Sequence, residues 1–599
     1  MTTVTNLPHW DMSVVYPSME SPEFQAGFAR LIQDIQELAQ LFDACFVQKQ
    51  EALDTGDETI KHFETVLQRY NEVLTESKTL NTYISCFVNT NSLDTLAQAR
   101  MSELQQASVT LSQLGTRFTA WIGSLDVETL IARSHSARTH TFMLRKAKTQ
   151  AAYLMPPAEE NLASELNVSG GTAWEKLHGD VTSQLVIALD VPDQPKELPM
   201  SMIRNLAYDS DRETRRRAYE AELGGWQKVA VPLAAAMNSI KGEVNTLSRR
   251  RGWQSPLEAS LLDNNIDQQT LDAMMTAARE SFPDFRRYLS AKARALGLSR
   301  LAWYDLFAPV GGEERVWTFN EATSFIVEQF GAYSSRLSDF AARAFREQWI
   351  DAEPRAGKGD GAYCAWLRKD ESRVCTNFKA AFGGVSTLAH ELGHAYHNLN
   401  LAQRSVLQRS TPMTLAETAS IFCETIISHA ALHTVGPQEQ IAILEESLQG
   451  SCQVVVDITS RFLFEQRVFE RRKARELSVD ELNTLMLEAQ RETYGDGLDE
   501  NALHPYMWAM KPHYYDSHRS FYNYPYMFGL LFGLGLYARY TRDPETFKKG
   551  YDALLSSTGL ADAATLAAQF GIDIRSADFW RSSLDIVRED IARFAELTK

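Results

Sequence analysis

Thr387-Leu388-Ala389-His390-Glu391-Leu392-Gly393-His394-Ala395-Tyr396-His397 carries two histidines four residues apart with a glutamate directly after the first. On a helix each residue turns by about 100°, so His390 and His394 share one face, one turn apart. Two neutral imidazole nitrogens placed in this way converge on one Zn²⁺ at roughly 2.0–2.1 Å. Glu391 stands about 100° round the helix from them. It reaches a water beside the ion instead of the ion itself, which is where a hydrolytic site needs its general base.

The flanks extend this reading. Ala362-Tyr363-Cys364-Ala365-Trp366-Leu367 and Arg373-Val374-Cys375-Thr376-Asn377-Phe378 read as two short strands around the polar turn Arg368 to Ser372. Gly383-Gly384 then breaks the chain, and the metal helix is expected to start near Val385. A free strand edge near Val374 to Phe378 would hold an extended peptide by main-chain hydrogen bonds. Cys364 and Cys375 are placed to face each other across the hairpin.

A catalytic zinc takes three protein ligands and keeps a fourth position open. His397 shares the face of His394, but residues 390 to 397 span about 10 Å of helix rise, too much for three ligands from one straight helix to surround an ion. His397 is therefore read as a support behind the ligands or as polar packing. Glu417, in Leu415-Ala416-Glu417-Thr418-Ala419-Ser420, opens a second apolar helical pattern and is the better third ligand. Glu424, seven residues on, shares its face and is placed to take the second ring N–H of a ligand histidine.

The run Thr387 to His397, followed by Leu415 to Ser420, resembles the M3 family of zinc metallopeptidases, most closely its oligoendopeptidase F branch. Ser169-Gly170-Gly171-Thr172-Ala173-Trp174 resembles that branch's N-terminal signature. Asp211-Arg212-Glu213-Thr214-Arg215-Arg216-Arg217-Ala218-Tyr219 and Tyr304-Asp305-Leu306 resemble its lead-in to the catalytic region. The likeness runs from about residue 120 to the C-terminus. It implies one Zn²⁺ per chain held by His390, His394 and Glu417, with Glu391 activating the water. It also implies two helical lobes around a deep substrate channel that admits short peptides.

Lys511 to Tyr526 packs five tyrosines and two histidines into sixteen residues. Amide hydrolysis passes through an oxyanion, and a phenol or imidazole donor aimed at that oxygen typically contributes about 10²–10³ in rate. The resemblance matches His513 to the family's histidine for this task, with Tyr522, Tyr524 and Tyr526 as the tyrosine candidates.

Composition narrows the field. The 599 residues carry a net charge of −17, which speaks against nucleic acid, where a basic footprint is expected. Arg215-Arg216-Arg217 and Arg249-Arg250-Arg251 go round a helix and read as solvated surface. Six scattered cysteines without CxxC spacing imply neither a disulfide framework nor a zinc ribbon. The N-terminus shows no secretory pattern, so the cytoplasm is expected. Tyr526 to Ala538 is too short an apolar run to span a bilayer and reads as a buried helix.

Helical periodicity fills residues 21 to 118, 225 to 250, 320 to 347, 438 to 490 and 577 to 597, and from an N-cap at Asp267 to Gly297 with Pro283 as a kink. Strand signals cluster near 315 to 318 and 362 to 378. Val191 to Pro199, rich in proline, reads as a linker. The expected fold is mainly α, with a small β-hairpin or sheet beside the zinc helix. An N-terminal helical region covers 1–195, its family-like part at about 120–190, and the catalytic domain covers 196–599. The expected function is zinc-dependent endopeptidase action on short oligopeptides; the alternatives are a zinc exopeptidase and a catalytically inactive helical peptide-binding protein.

Overall fold

Helices begin where the sequence supplies oxygen acceptors for their orphan amides. The computed structural model describes residues 7–51, 55–190, 196–311 and 315–599. The Ser21 side chain accepts from the Phe24 amide at 3.2 Å ahead of Pro22, and Asp94 accepts from Leu96 and Ala97. Asp267 caps Gln268–Ala295 as expected, with Pro283 inside that helix. Each such cap is worth about 1 kcal/mol. The result is mainly α, with two small sheets among the described residues.

The chain forms two compact units, each assembled from three segments. The first comprises Met1–Leu154, Arg315–Ala431 and Arg539–Gly571. Its helices Pro22–Ala44, Asp57–Thr90 and Thr95–Ser124 bury Phe24, Phe42, Phe63, Tyr83 and Trp121 in one core. Each such side chain contributes roughly 1.5–3 kcal/mol on leaving water.

The sheet of this unit is ordered Ile350–Asp351, Glu371–Cys375, Tyr363–Arg368. Glu371–Cys375 is therefore central. The Val374, Thr376 and Phe378 amides donate to the Trp349, Asp351 and Ala352 carbonyls at 2.9, 2.9 and 3.0 Å. The edge expected near Val374 to Phe378 is thus occupied, and the edge strand that lines the metal cavity is Tyr363–Arg368. The partner that takes it is a two-residue strand, too short to announce itself by alternation. Cys364 stands opposite Val374 and Cys375 opposite Tyr363, so the two thiols project from opposite faces instead of meeting. All six cysteines are free. Residues 315 to 318 form no strand; the Trp317 amide donates to the Ala380 carbonyl and Thr318 caps the helix Phe319–Tyr333.

The metal helix runs Phe382–Asn400 and so includes Gly383 and Gly384 instead of starting after them. A Cβ on Gly384 would stand 2.1 Å from the Lys379 carbonyl oxygen. Close approach, not helix breaking, explains that glycine.

The second unit comprises Met155–Glu314, Leu432–Ala538 and Ile572–Lys599. The 40-residue helix Arg212–Arg251 runs through it, about 60 Å long at the usual rise. Buried charges are matched within it. Lys241 meets Glu465 at 2.6 Å, and Lys292 donates both to Glu445 at 2.5 Å and to the Leu306 carbonyl at 2.7 Å. Arg215 is buried against Asp305 at 3.0 Å, which corrects its reading as solvated surface. Arg216 and Arg217 pair with Glu213 on the exposed side. Val191 to Pro195 lie outside the described residues, whereas Glu197–Pro199 is a strand paired with Val186–Ala188. Tyr526 to Ala538 falls within the helix Tyr524–Arg542. No described helix is long and apolar enough to cross a membrane.

Candidate metal centre and active site

The metal helix presents His390 and His394 on one face, their ring centroids 5.0 Å apart. Glu417 comes from a break between two helices, as the residue ending Met413–Ala416 ahead of Ser420–Leu432. Gly393 makes that approach possible. A Cβ there would stand 2.6 Å from the Ala419 carbonyl oxygen and 2.6 Å from the Ser420 Cα, so only glycine lets this backbone close on the metal helix.

The donor atoms then converge. Glu417 Oε2 lies 3.2 Å from His390 Nε2 and 3.4 Å from His394 Nε2. Tetrahedral ligands bonded at roughly 2.0–2.1 Å stand about 3.3 Å from one another, so the spacing fits a tetrahedral divalent ion. Among the described residues this is the one cluster of three or more His, Cys, Asp or Glu ligand atoms that could hold a metal ion.

The surrounding groups fix the ligands. His390 Nδ1 donates to Glu424 Oε2 at 2.8 Å, which leaves Nε2 to face the metal position. Ser386 donates to the other Glu424 oxygen at 3.2 Å, and Ser420 donates to Glu417 Oε2 at 2.6 Å. Burial works against charge on His390. The hydrogen bonds that the ring donates to Glu417 and Glu424 outweigh it and raise the imidazole well above its ordinary range. This is a pocket built to face positive charge.

Glu391 is 5% exposed, and its Oε2 has no hydrogen-bond partner. Burial pushes its carboxyl up from the usual range, with His390 and His394 pulling back. A free, desolvated carboxylate beside the ligand face is suited to taking a proton from water. His397, by contrast, is buried and hydrogen-bonded through Nε2 to Thr558 Oγ1 at 2.8 Å, and burial pulls it down to about 4. It is a neutral packing group, and its ring is not among the converging donor atoms.

These residues floor a cavity of about 550 Å³, walled by Tyr363, Cys364 and Trp366 of the edge strand and by Lys78 and Arg409. Lys78 and Arg409 carry no local sequence signal: one sits on a long helix some 300 residues upstream of the motif, the other in an irregular stretch behind it.

The tyrosine-rich segment belongs to the second unit. His513 lies in a single 3₁₀ turn, its Nε2 without a partner, and its ring stacks on Tyr522 with centroids 6.0 Å apart. Burial, then Arg461 and Lys511, hold it neutral, down to about 2. The Tyr522 and Tyr526 hydroxyls are 2.9 Å apart. Tyr524 is buried, its hydroxyl donating to the Ser260 carbonyl at 3.1 Å, so that donor is already committed. The signature near Ser169 braces this segment: Asn167 donates to Ser517 Oγ at 3.2 Å, and His178 stacks on Tyr515 at 3.9 Å.

A helix-borne pair of histidines, a glutamate from a following helix and an unpaired carboxylate beside them define a metal-dependent hydrolase of the His-Glu-x-x-His type. The sequence model of peptidase family M3 matches residues 205–586. An oligoendopeptidase F homolog of Lactococcus lactis is 22% identical over 488 residues, covering 80% of this chain and 79% of that protein. Group B oligopeptidase PepB of Streptococcus agalactiae is 24% identical over 479 residues, covering 79% of each. The crystal structure of oligoendopeptidase-F from Enterococcus faecium shares the fold, with a TM-score of 0.69 at 17% identity, covering 96% of this chain and 98% of that one. The chain belongs to peptidase family M3 and is a metallopeptidase.

Proposed function

We propose that this metallopeptidase is a zinc endopeptidase acting on short oligopeptides. The observation that carries the reading is the set of three converging donor atoms, with Glu417 Oε2 at 3.2 and 3.4 Å from the two imidazole nitrogens, in one cavity with an unpaired Glu391 carboxylate and an edge strand. His390, His394 and Glu417 would hold the ion, and their two imidazoles and one carboxylate are a donor set that suits zinc. When bound, Zn²⁺ supplies Lewis acidity toward the scissile carbonyl and the attacking water.

Glu391 takes the proton from that water and passes it to the leaving amine. The edge strand Tyr363–Arg368 pairs with the extended peptide through its main chain. His513 donates its ring N–H to the developing oxyanion together with the Tyr522 or Tyr526 hydroxyl. The support for this last role is the match to the family's histidine and tyrosines, together with the unpaired His513 nitrogen. The relatives' printed names, oligoendopeptidase and oligopeptidase, support short peptides as substrates. The cytoplasm is the compartment that fits six unpaired thiols.

Peptides acetylated and amidated at their ends separate this reading from an exopeptidase. Blocking removes the terminal charges but leaves main-chain pairing intact, so blocked and free peptides are expected to be cut internally at comparable rates. If blocking stops cleavage, the exopeptidase reading replaces this one.

A further inference from the structure

Lys78 and Arg409 are two cations in the wall of the metal cavity, and among the described residues neither has an ion-pair partner. The Arg409 guanidinium is held by main-chain carbonyls alone: Nε donates to Arg404 O at 2.9 Å and Nη2 to Ala402 O at 2.7 Å. Its Nη1 is buried with no acceptor. The guanidinium lies 4.4 Å from the centroid of the Trp366 indole, and the Lys78 ammonium lies 6.0 Å from the same ring.

Their surroundings sharpen the point. Burial, then the Arg409 charge, pull Lys78 below the usual lysine range, and no acidic group acts in the other direction. Burial alone acts on Arg409. The chain carries 77 acidic against 60 basic residues, yet among the described residues no carboxylate lies within ion-pair distance of either cation. A guanidinium nitrogen buried without an acceptor is costly, and the Arg409 Nη1 deficit is met most directly by a carboxylate that arrives from outside.

The edge strand gives the position. Cys364 and Trp366 project from one face, two residues apart, or about 6.6 Å along the strand. Cys364, Trp366 and the general base Glu391 line the same cavity. A peptide paired along this strand with its scissile bond level with Glu391 therefore brings a group about two residues away to Trp366.

We propose that Lys78, Arg409 and Trp366 form a subsite for a carboxylate of the bound peptide, about two residues from the scissile bond. The ligand is an Asp or Glu side chain, with the peptide's own C-terminal carboxylate as the other source of the same chemistry. This rests on the endopeptidase reading above.

Two peptide series test it. In one, end-blocked octapeptides of otherwise fixed sequence carry Glu or Gln at each position in turn. In the other, peptides without acidic residues carry a free or an amidated C-terminus. In the unaltered enzyme, Glu at one position is expected to lower KM about tenfold relative to Gln, with kcat little changed. Lys78→Met should remove that preference, and Lys78→Glu should move it to Lys at the same position. Lys78 is exposed, so neither change threatens the fold; Arg409→Gln is a further variant whose folding is checked by circular dichroism. A KM effect confined to the free C-terminus assigns the subsite to the terminal carboxylate. No carboxylate dependence in either series, or a dependence unchanged by Lys78→Met, overturns the subsite. Binding of the same peptides to the Glu391→Gln variant, measured by calorimetry, separates the two claims. Absence of cleavage in every peptide defeats the endopeptidase reading, whereas binding that ignores the carboxylate defeats the subsite.

Discussion

Gly393 lies against Ser420 so closely that any side chain at 393 would meet the Ser420 Cα at 2.6 Å. The glycine inside the His-Glu-x-x-His motif therefore sets how near the Glu417 backbone comes to the two histidines. Gly393→Ala is expected to leave the helix content unchanged by circular dichroism. Metal affinity should fall about 10–100-fold, the range seen when the groups that orient ligands are disturbed. An alanine variant with unaltered metal affinity would show that the spacing is set elsewhere.

Glu417 and His397 should behave oppositely. Glu417→Ala removes a donor atom 3.2 and 3.4 Å from the two imidazole nitrogens, so metal content and activity are expected to fall together. His397→Ala breaks the bond to Thr558 and the ring's main-chain contacts at Leu555 and Ala416 and opens a small buried void, costing about 1–3 kcal/mol of stability while most of the metal stays. Metal analysis after dialysis, together with thermal denaturation, distinguishes the two.

The three tyrosines should divide by the fate of their hydroxyls. The Tyr524 donor is spent on Ser260, so Tyr524→Phe should cost about 1 kcal/mol of stability and leave kcat within a few fold of the unaltered enzyme. Removing the Tyr522 or the Tyr526 hydroxyl should lower kcat, by up to about 10²–10³ for the one that donates to the oxyanion, with KM nearly unchanged. Equal losses at all three positions would point to packing instead.

Much of the site was legible because it is local. A helix repeat brings His390 and His394 together without help from the fold, and the apolar pattern after Glu417 announced a neighbouring helix. The mainly helical architecture was equally readable, since caps such as Asp267 and long 3.6-residue rhythms are short-range signals. What the sequence hid depends on distant partners. The edge of the sheet was assigned to the wrong strand because Ile350–Asp351, only two residues long, supplies the missing neighbour. Gly383-Gly384 looked like a stop and is a close contact. Arg215 looked solvated because its partner, Asp305, lies 90 residues away. Lys78 and Arg409 reach the cavity from helix and loop with no motif to mark them.

The central claim is that Glu391 acts on the water and does not hold the metal. It is tested most directly by measuring kcat and metal content together in Glu391→Gln, which keeps the side chain's size and removes its basicity. The expected result is a loss of kcat of about 10²–10⁴-fold or more, with the metal retained near one per chain. Loss of the metal along with activity, or retained metal with kcat within tenfold of the unaltered enzyme, would contradict it.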